Sequence, residues 1–174
     1  MAIALSGIMT TGLILGRFQP FHNGHLFALR LILKQNDRAI VVIGSAQASH
    51  DADNPFSAGE RFEMIRASLT KDELVRTAII PIEDINRYPL WVAHVESRCP
   101  KFDRVYSRNT LTAALFKQAG YEVVEHDYHR RESCSGSEIR RMMACGEAWE
   151  KHVPKGVSAY VRKIGGVQRV KSIG

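Results

Sequence analysis

Apolar residues along this chain fall into short runs separated by longer segments of helical character. Leu13-Ile14-Leu15 is a continuous apolar run, and residues 12–15 are read as a first, buried strand. Residues 25–33 read as the helix that follows. Residues 39–43, 77–80, 103–106 and 121–124 supply four further strands, the third strand of the chain being closed by Pro81. Between them lie helices that open at Ser57 or Ala58 and run to about residue 69, start over residues 90–95, and span 110–118. Ser57 has Glu60 three residues later, a capping-box pattern, and Gly120 stands where a helix C-cap glycine is expected. Beyond residue 124 the pattern becomes helical, with segments at 135–145 and 154–164.

Short apolar strands alternating with amphipathic helices imply βαβ units and right-handed crossovers. The predicted fold is therefore α/β: a doubly wound parallel sheet of five to six strands, helices on both faces, and a helical C-terminal part. In such sheets ligands bind outside the carboxyl ends of the strands, where strand order reverses. The turn at residues 16–25, the Ser45 turn, the segment around Asp84 and the Ser107 turn all leave strands at that rim.

A length of 174 residues suits one domain, placed at residues 12–174 after a disordered leader at 1–11. No apolar run is long enough to span a bilayer, and the N-terminus lacks the basic start of a signal peptide. The net charge of +6 comes from scattered cations without a nucleic-acid-binding motif. It is read as a solvated surface that steers anionic small molecules, with neither nucleic acid nor membrane as partner. Three cysteines, an odd number without a CxxC pair, fit a reducing cytoplasm. Cys134, beside a serine-rich turn, is read as an incidental small residue.

The densest chemistry lies in Gly16-Arg17-Phe18-Gln19-Pro20-Phe21-His22-Asn23-Gly24-His25, where the first strand turns into the first helix. A helix N-terminus offers unpaired N–H groups and a partial positive charge, which suit phosphate. His22 and His25, three apart, share one face of that start. A zinc reading of the pair needs a third ligand that no adjacent carboxylate or cysteine supplies. Arg17 adds a guanidinium. Phe18 and Phe21 are equally readable as core or as site. Gly24 allows close approach of backbone or ligand. Ser135-Gly136-Ser137 opens a later helix, with Arg140 one turn on, and reads by itself either as a second phosphate-binding start or as an ordinary capped helix with a basic face; Arg141 faces elsewhere.

His22-Asn-Gly24-His25 resembles the HxGH signature of the nucleotidyltransferase superfamily. The full run GRFQPFHNGH resembles its archaeal-type nicotinamide-nucleotide adenylyltransferase branch. Residues 43–50 (IGSAQASH), 54–61 (NPFSAGER) and 135–141 (SGSEIRR) resemble the same branch, in the same order. The resemblance extends from about Gly12 to the C-terminus. It implies a Rossmann-like fold and transfer of the adenylyl group of ATP to nicotinamide mononucleotide, giving NAD and pyrophosphate without a covalent intermediate. Another acceptor, such as pantetheine phosphate, a cytidylyltransferase, and a non-catalytic ATP- and NAD-binding regulator are the alternatives.

The resemblance further implies catalytic roles for Arg17, His22, His25 and Arg140. It implies an ATP site of Gly16, Arg17, Phe18, Gln19, His22, Gly24, His25, Ser107, Asn109, Ser135, Ser137 and Arg140. The mononucleotide falls to Ser45, Gln47, Asp84 and Trp91, the indole stacking on the cationic pyridinium ring. Mg²⁺ is expected on the ATP phosphates, with no protein metal site. A homo-oligomer, commonly a hexamer, is implied. Three positions depart from the branch: Asp53 stands where an arginine is frequent, Arg108 where glycine is usual, and Tyr88 where asparagine is common.

Overall fold

The computed structural model describes residues 9–125 and 135–174. Among these, five parallel strands form one sheet in the order β3-β2-β1-β4-β5. The strands are β1 (Thr11–Gly16), β2 (Arg38–Ile43), β3 (Thr77–Pro81), β4 (Arg104–Tyr106) and β5 (Glu122–Val124). The chain starts in the middle of the sheet, builds outward through β2 and β3, then returns to the other side of β1 with β4 and β5. Leu13 lies opposite Ile40 on one side and Val105 on the other. Strand order thus reverses between β1 and β4.

Both faces of the sheet are covered, which explains the continuous apolar runs. Successive side chains alternate between two clusters. Ile14, Val41 and Ile43 belong to a core that also holds α1 (Asn23–Gln35), α2 (Ala58–Arg66) and the C-terminal helices. Leu13, Ile40, Val42 and Val105 belong to a second core with Val95 of α4 (Tyr88–Arg98) and Phe116 of α5 (Thr110–Gln118). Each fully buried aliphatic side chain contributes about 1.5–3 kcal/mol. Gly12 has a packing reason: a Cβ there would lie 2.6 Å from Ile32 Cγ2 and 2.8 Å from Tyr106 Cε2.

The structure differs from the sequence reading in three places. Thr10 and Thr11, assigned to the leader, are part of the fold. The Thr10 N–H donates to Asp37 (2.8 Å) and the Thr11 N–H to Asp103 (2.8 Å), so two carboxylates pin the start of β1. The helix expected to reach residue 69 ends at Arg66. Thr70 then caps a separate short helix, α3 (Lys71–Val75), through a reciprocal bond pair with Glu73. Third, α6 (Gly136–Cys145), a 3₁₀ turn (Trp149–His152) and α7 (Lys155–Lys163) are followed by α8 (Gly166–Ile173), a helix the pattern did not predict. Gly165, at φ +66°, breaks the chain locally. Arg169 seats α8 from afar, with a two-pronged ion pair to Glu60 (2.6 and 2.8 Å) and a bond to the Pro55 carbonyl.

Candidate active site

At the carboxyl end of the sheet, over the point where β1 and β4 diverge, lies a cleft of about 660 Å³. Three helices begin on it. His22 caps α1, Asn109 caps α5 and Ser135 caps α6, and all three caps line the cleft. Their N-termini aim unpaired N–H groups and positive dipole ends into one space.

The two histidines cap one another. The His25 backbone N–H donates to His22 Nδ1 (3.3 Å), and the His22 backbone N–H donates to His25 Nδ1 (3.2 Å). The rings stack with centroids 3.5 Å apart. A ring nitrogen that accepts an N–H carries no proton, so each imidazole is neutral with its proton on Nε2. Both rings line the cleft, which therefore holds two neutral N–H donors. Burial pushes the His22 pKa down to about 4. Burial also holds His25 well below its ordinary value, with the His22 charge acting the same way. Phe18 and Phe21 are core, and their rings wall His25 at 4.8 and 5.5 Å; Phe18 also borders the cleft.

These depressed values set a pH dependence of stability. The unfolded chain takes up protons below the ordinary imidazole value of 6.5 that folded His22 refuses until about 4. Stability is therefore expected to fall as pH drops through that window, with His22 alone contributing roughly 3 kcal/mol. Urea unfolding from pH 7 to 4 checks this, with His22→Asn as control. Parallel slopes for the two proteins would refute the assignment.

Arg17 is exposed and lines the cleft. Arg140 reaches it from α6 and is largely buried. Its Nη1 donates to the Gln19 carbonyl (3.0 Å) and its Nε to that of Ala52 (3.2 Å), while Nη2 lies 3.4 Å from Asp53. Burial lowers the Arg140 pKa, and the Asp53 carboxylate opposes that shift. The Asp53 departure is thus in direct contact with a cleft arginine. Ser135 and Ser137 place their hydroxyls 2.8 Å apart at the start of α6. Gly136 lets that start come close, since a Cβ there would lie 2.9 Å from the Gln19 carbonyl oxygen.

Other expected residues are placed differently. Gln19 borders the cleft, but its amide is spent inside: Nε2 donates to the Phe56 carbonyl (2.8 Å) and Oε1 accepts the Phe56 N–H (3.0 Å). A buried amide needs partners, so this side chain acts as a strut between the two loops. Gly16 stands behind the lining against the Phe18 ring, and Gly24 is buried within α1. Ser107 and Asn109 line the cleft, with the Asn109 Oδ1 accepting the Thr112 N–H (2.9 Å) as cap. Arg108 lines it too. Arg141 points away, paired with Glu138 and Glu147. Cys134 lies outside the described residues. Burial raises the Cys99 thiol to about 11, which makes it inert.

Ser45, Gln47 and Asp84 come together beyond β2 and β3. The Ser45 hydroxyl donates to Asp84 Oδ2 (2.5 Å), and the Asp84 N–H donates to Gln47 Oε1 (3.1 Å). Trp91 is partly buried, packs on the second core and lies 5.8 Å from the His94 ring. His94 in turn contacts the Glu83 carbonyl (3.2 Å), which ties α4 to the Asp84 segment. Tyr88 is exposed at the start of α4. Sequence reasoning gave no role to Arg61, Gly136 or Tyr106. Both Arg61 and Gly136 lie in motifs quoted above, at residues 54–61 and 135–141, but nothing local shows that the Arg61 side chain turns inward. Among the described residues no cluster of three or more His, Cys, Asp or Glu is arranged to hold a metal, and no helix is long and apolar enough to cross a membrane.

Converging helix starts, neutral N–H donors and arginines recognise a polyphosphate. On a doubly wound sheet this places the chain in the nucleotide-binding α/β class, and the comparisons agree. The cytidylyltransferase-like family model matches residues 13–142. A nicotinamide-nucleotide adenylyltransferase of Picrophilus torridus is 48% identical over 160 residues, 92% of this chain and 95% of that protein. One from Thermococcus kodakarensis is 46% identical over 164 residues, 93% of this chain and 87% of that protein. The chain belongs to the cytidylyltransferase-like family, in its nicotinamide-nucleotide adenylyltransferase branch. A similar fold occurs in a bifunctional NMN adenylyltransferase/ADP ribose pyrophosphatase of Francisella tularensis, solved with AMP and a manganese ion. The TM-score is 0.73 at 19% identity, over 95% of this chain and 52% of that one. This chain thus spans about half of the bifunctional protein.

Proposed function

We propose that the protein transfers the adenylyl group of ATP to nicotinamide mononucleotide, forming NAD and pyrophosphate. The observation that carries the reading is the reciprocal histidine cap, which turns two Nε2–H donors toward the same cleft that Arg140 enters from α6. A mononucleotide phosphate oxygen attacks the α-phosphorus of ATP, a new P–O bond forms, and the α–β bridging bond breaks. The attacking phosphate is already ionised, so no base is needed. The protein must align two anions and stabilise the charge that builds on the phosphates.

His22, His25 and Arg17 hold the phosphates nearest the reacting centre. Ser135, Ser137, the α6 N-terminus and Arg140 hold the leaving pyrophosphate. Among the described residues the cleft lining offers cations, hydroxyls and N–H groups but no carboxylate, a donor set suited to phosphate oxygens. A divalent ion such as Mg²⁺ would be held by the phosphates of the nucleotide itself, where it would offset their charge. Ser45, Gln47 and Asp84 take the mononucleotide, with Trp91 against the pyridinium ring. A single catalytic domain, a homo-oligomeric assembly such as a hexamer, and a cytoplasmic setting belong to the same proposal.

Pyrophosphate release with ATP and Mg²⁺ tests it, with nicotinamide mononucleotide, nicotinate mononucleotide and pantetheine phosphate compared as acceptors. Turnover with a pyridine mononucleotide supports the reading. Turnover with pantetheine phosphate alone moves it to another acceptor, and ATP binding without turnover moves it to a regulator. Two substitutions refine it. Gly136→Ala is expected to lower kcat/KM by about 10-fold or more, because the methyl group pushes the α6 start off the Gln19 carbonyl. Trp91→Ala is expected to raise KM for the mononucleotide roughly tenfold while leaving KM for ATP unchanged. Steady-state rates decide both, and an unchanged acceptor KM removes Trp91 from the site.

A further inference from the structure

Arg61 heads the fully buried large side chains, and it is charged. It lies in α2, and its guanidinium runs beneath the ends of β1 and β2. Nη1 donates to the carbonyls of Arg17 (2.9 Å) and Gly44 (2.8 Å). Nη2 donates to those of Ser45 (3.0 Å) and Ala48 (3.4 Å), and Nε to that of Ser57 (3.2 Å). All five acceptors are main-chain carbonyls. No carboxylate touches the group through these bonds, although the nearby Asp84 charge favours its protonated form. Burying a guanidinium is costly, so its bonds must do something a leucine of similar bulk could not.

Four of the carbonyls belong to two loops with different tasks, and the fifth, that of Ser57, is at the cap of α2 itself. Arg17 opens the loop that carries His22 and His25, whereas Gly44, Ser45 and Ala48 belong to the loop that carries Gln47. The β1–β2 ladder closes with the Gly44 N–H bond to the Gly16 carbonyl (2.9 Å), so it does not hold the rest of the two loops together. The planar fork of one guanidinium replaces it.

We propose that Arg61 is a positioning residue that sets the separation of the ATP-phosphate loop and the mononucleotide loop, so that the attacking phosphate meets the α-phosphorus in line. The inference rests on the adenylyl-transfer reading above. Each loop binds its own substrate through its own groups, and Arg61 bonds only their main chains. Its loss should therefore spare each binary affinity and strike the step that needs both substrates together.

The experiment compares wild type, Arg61→Lys and Arg61→Met. Near-ultraviolet circular dichroism establishes folding. Calorimetry measures ATP binding without acceptor and mononucleotide binding without ATP. Initial rates with both substrates give kcat. A lysine keeps the charge but cannot span four carbonyls in a plane. A folded Arg61→Lys is expected to keep both binary Kd values within about threefold while kcat falls about 10²-fold. A folded Arg61→Lys with wild-type kcat overturns the proposal. So does a loss of ATP affinity that matches the loss of kcat, since Arg61 would then only shape the phosphate loop. Failure of both variants to fold overturns it as well, because maintenance of the fold would be the role. A wild type that turns over neither pyridine mononucleotide overturns the reaction itself and this role with it.

Discussion

Replacing His25 with alanine is expected to lower kcat by about 10²-fold or more, with KM for ATP changing far less. The imidazole is neutral, buried against Phe18 and Phe21, stacked on His22 and held by the His22 backbone N–H, so its Nε2–H is aimed before substrate arrives. A preorganised donor in a water-poor site stabilises developing charge without reorganising, which is the term most sensitive to truncation. The same ring is half of a capping box, so His25→Ala also removes an α1 cap, at a cost of about 1 kcal/mol. His25→Asn separates the two roles. Its amide oxygen can accept the His22 N–H and restore melting temperature, but its shorter N–H falls short of the phosphate and leaves kcat low. Because both rings stay neutral well below pH 6, kcat is expected to show no imidazole limb between pH 6 and 8. Initial rates across that range, with thermal melts alongside, check the set. Full activity in His25→Ala would remove the histidine pair from the chemistry.

Arg140→Ala is expected to cost about 10²- to 10³-fold in kcat. The guanidinium is held by the Gln19 and Ala52 carbonyls, and burial already disfavours its charge. An added anion in the cleft relieves that penalty, so the side chain gains most as charge grows on the departing pyrophosphate. Arg140→Lys is expected to recover little, because an ammonium cannot keep two divergent carbonyls and a phosphate at once. Removing the side chain also leaves the part-buried Gln19 carbonyl without this donor, at about 1–3 kcal/mol, so rates must be compared below both melting temperatures. Retained kcat in folded Arg140→Ala would assign the leaving group to other donors. Asp53, the carboxylate partner of this arginine, is itself exposed.

Much of this site was legible before any coordinates. His22 with His25, Ser57 with Glu60 and Ser135 with Ser137 lie within one helical turn of each other. Their hydrogen bonds close locally, and the residue types announce them. The strands were legible for a similar reason, since a sheet covered on both faces demands unbroken apolar runs such as residues 39–43. The strut made by the Gln19 amide was not legible, because its partner, Phe56, arrives from another loop. The short α3 was hidden because Thr70 with Glu73 interrupts what looks like one continuous helix.

The linear order of residues therefore settles which segments are strands, where helices start, and which turns can hold phosphate, because those properties depend on neighbours within a few positions. It does not settle what lies beneath the turns. Arg61 looks like any solvated helix arginine until β1 and β2 stand side by side and their loops offer it carbonyls. Arg169 looks like a tail residue until α8 folds back onto Glu60. The depressed His22 and His25 values likewise come from burial, which exists only once the helices close over the sheet. Desolvation and long-range hydrogen bonding are properties of packed neighbours distant in the chain, and those neighbours are supplied by the order of the strands.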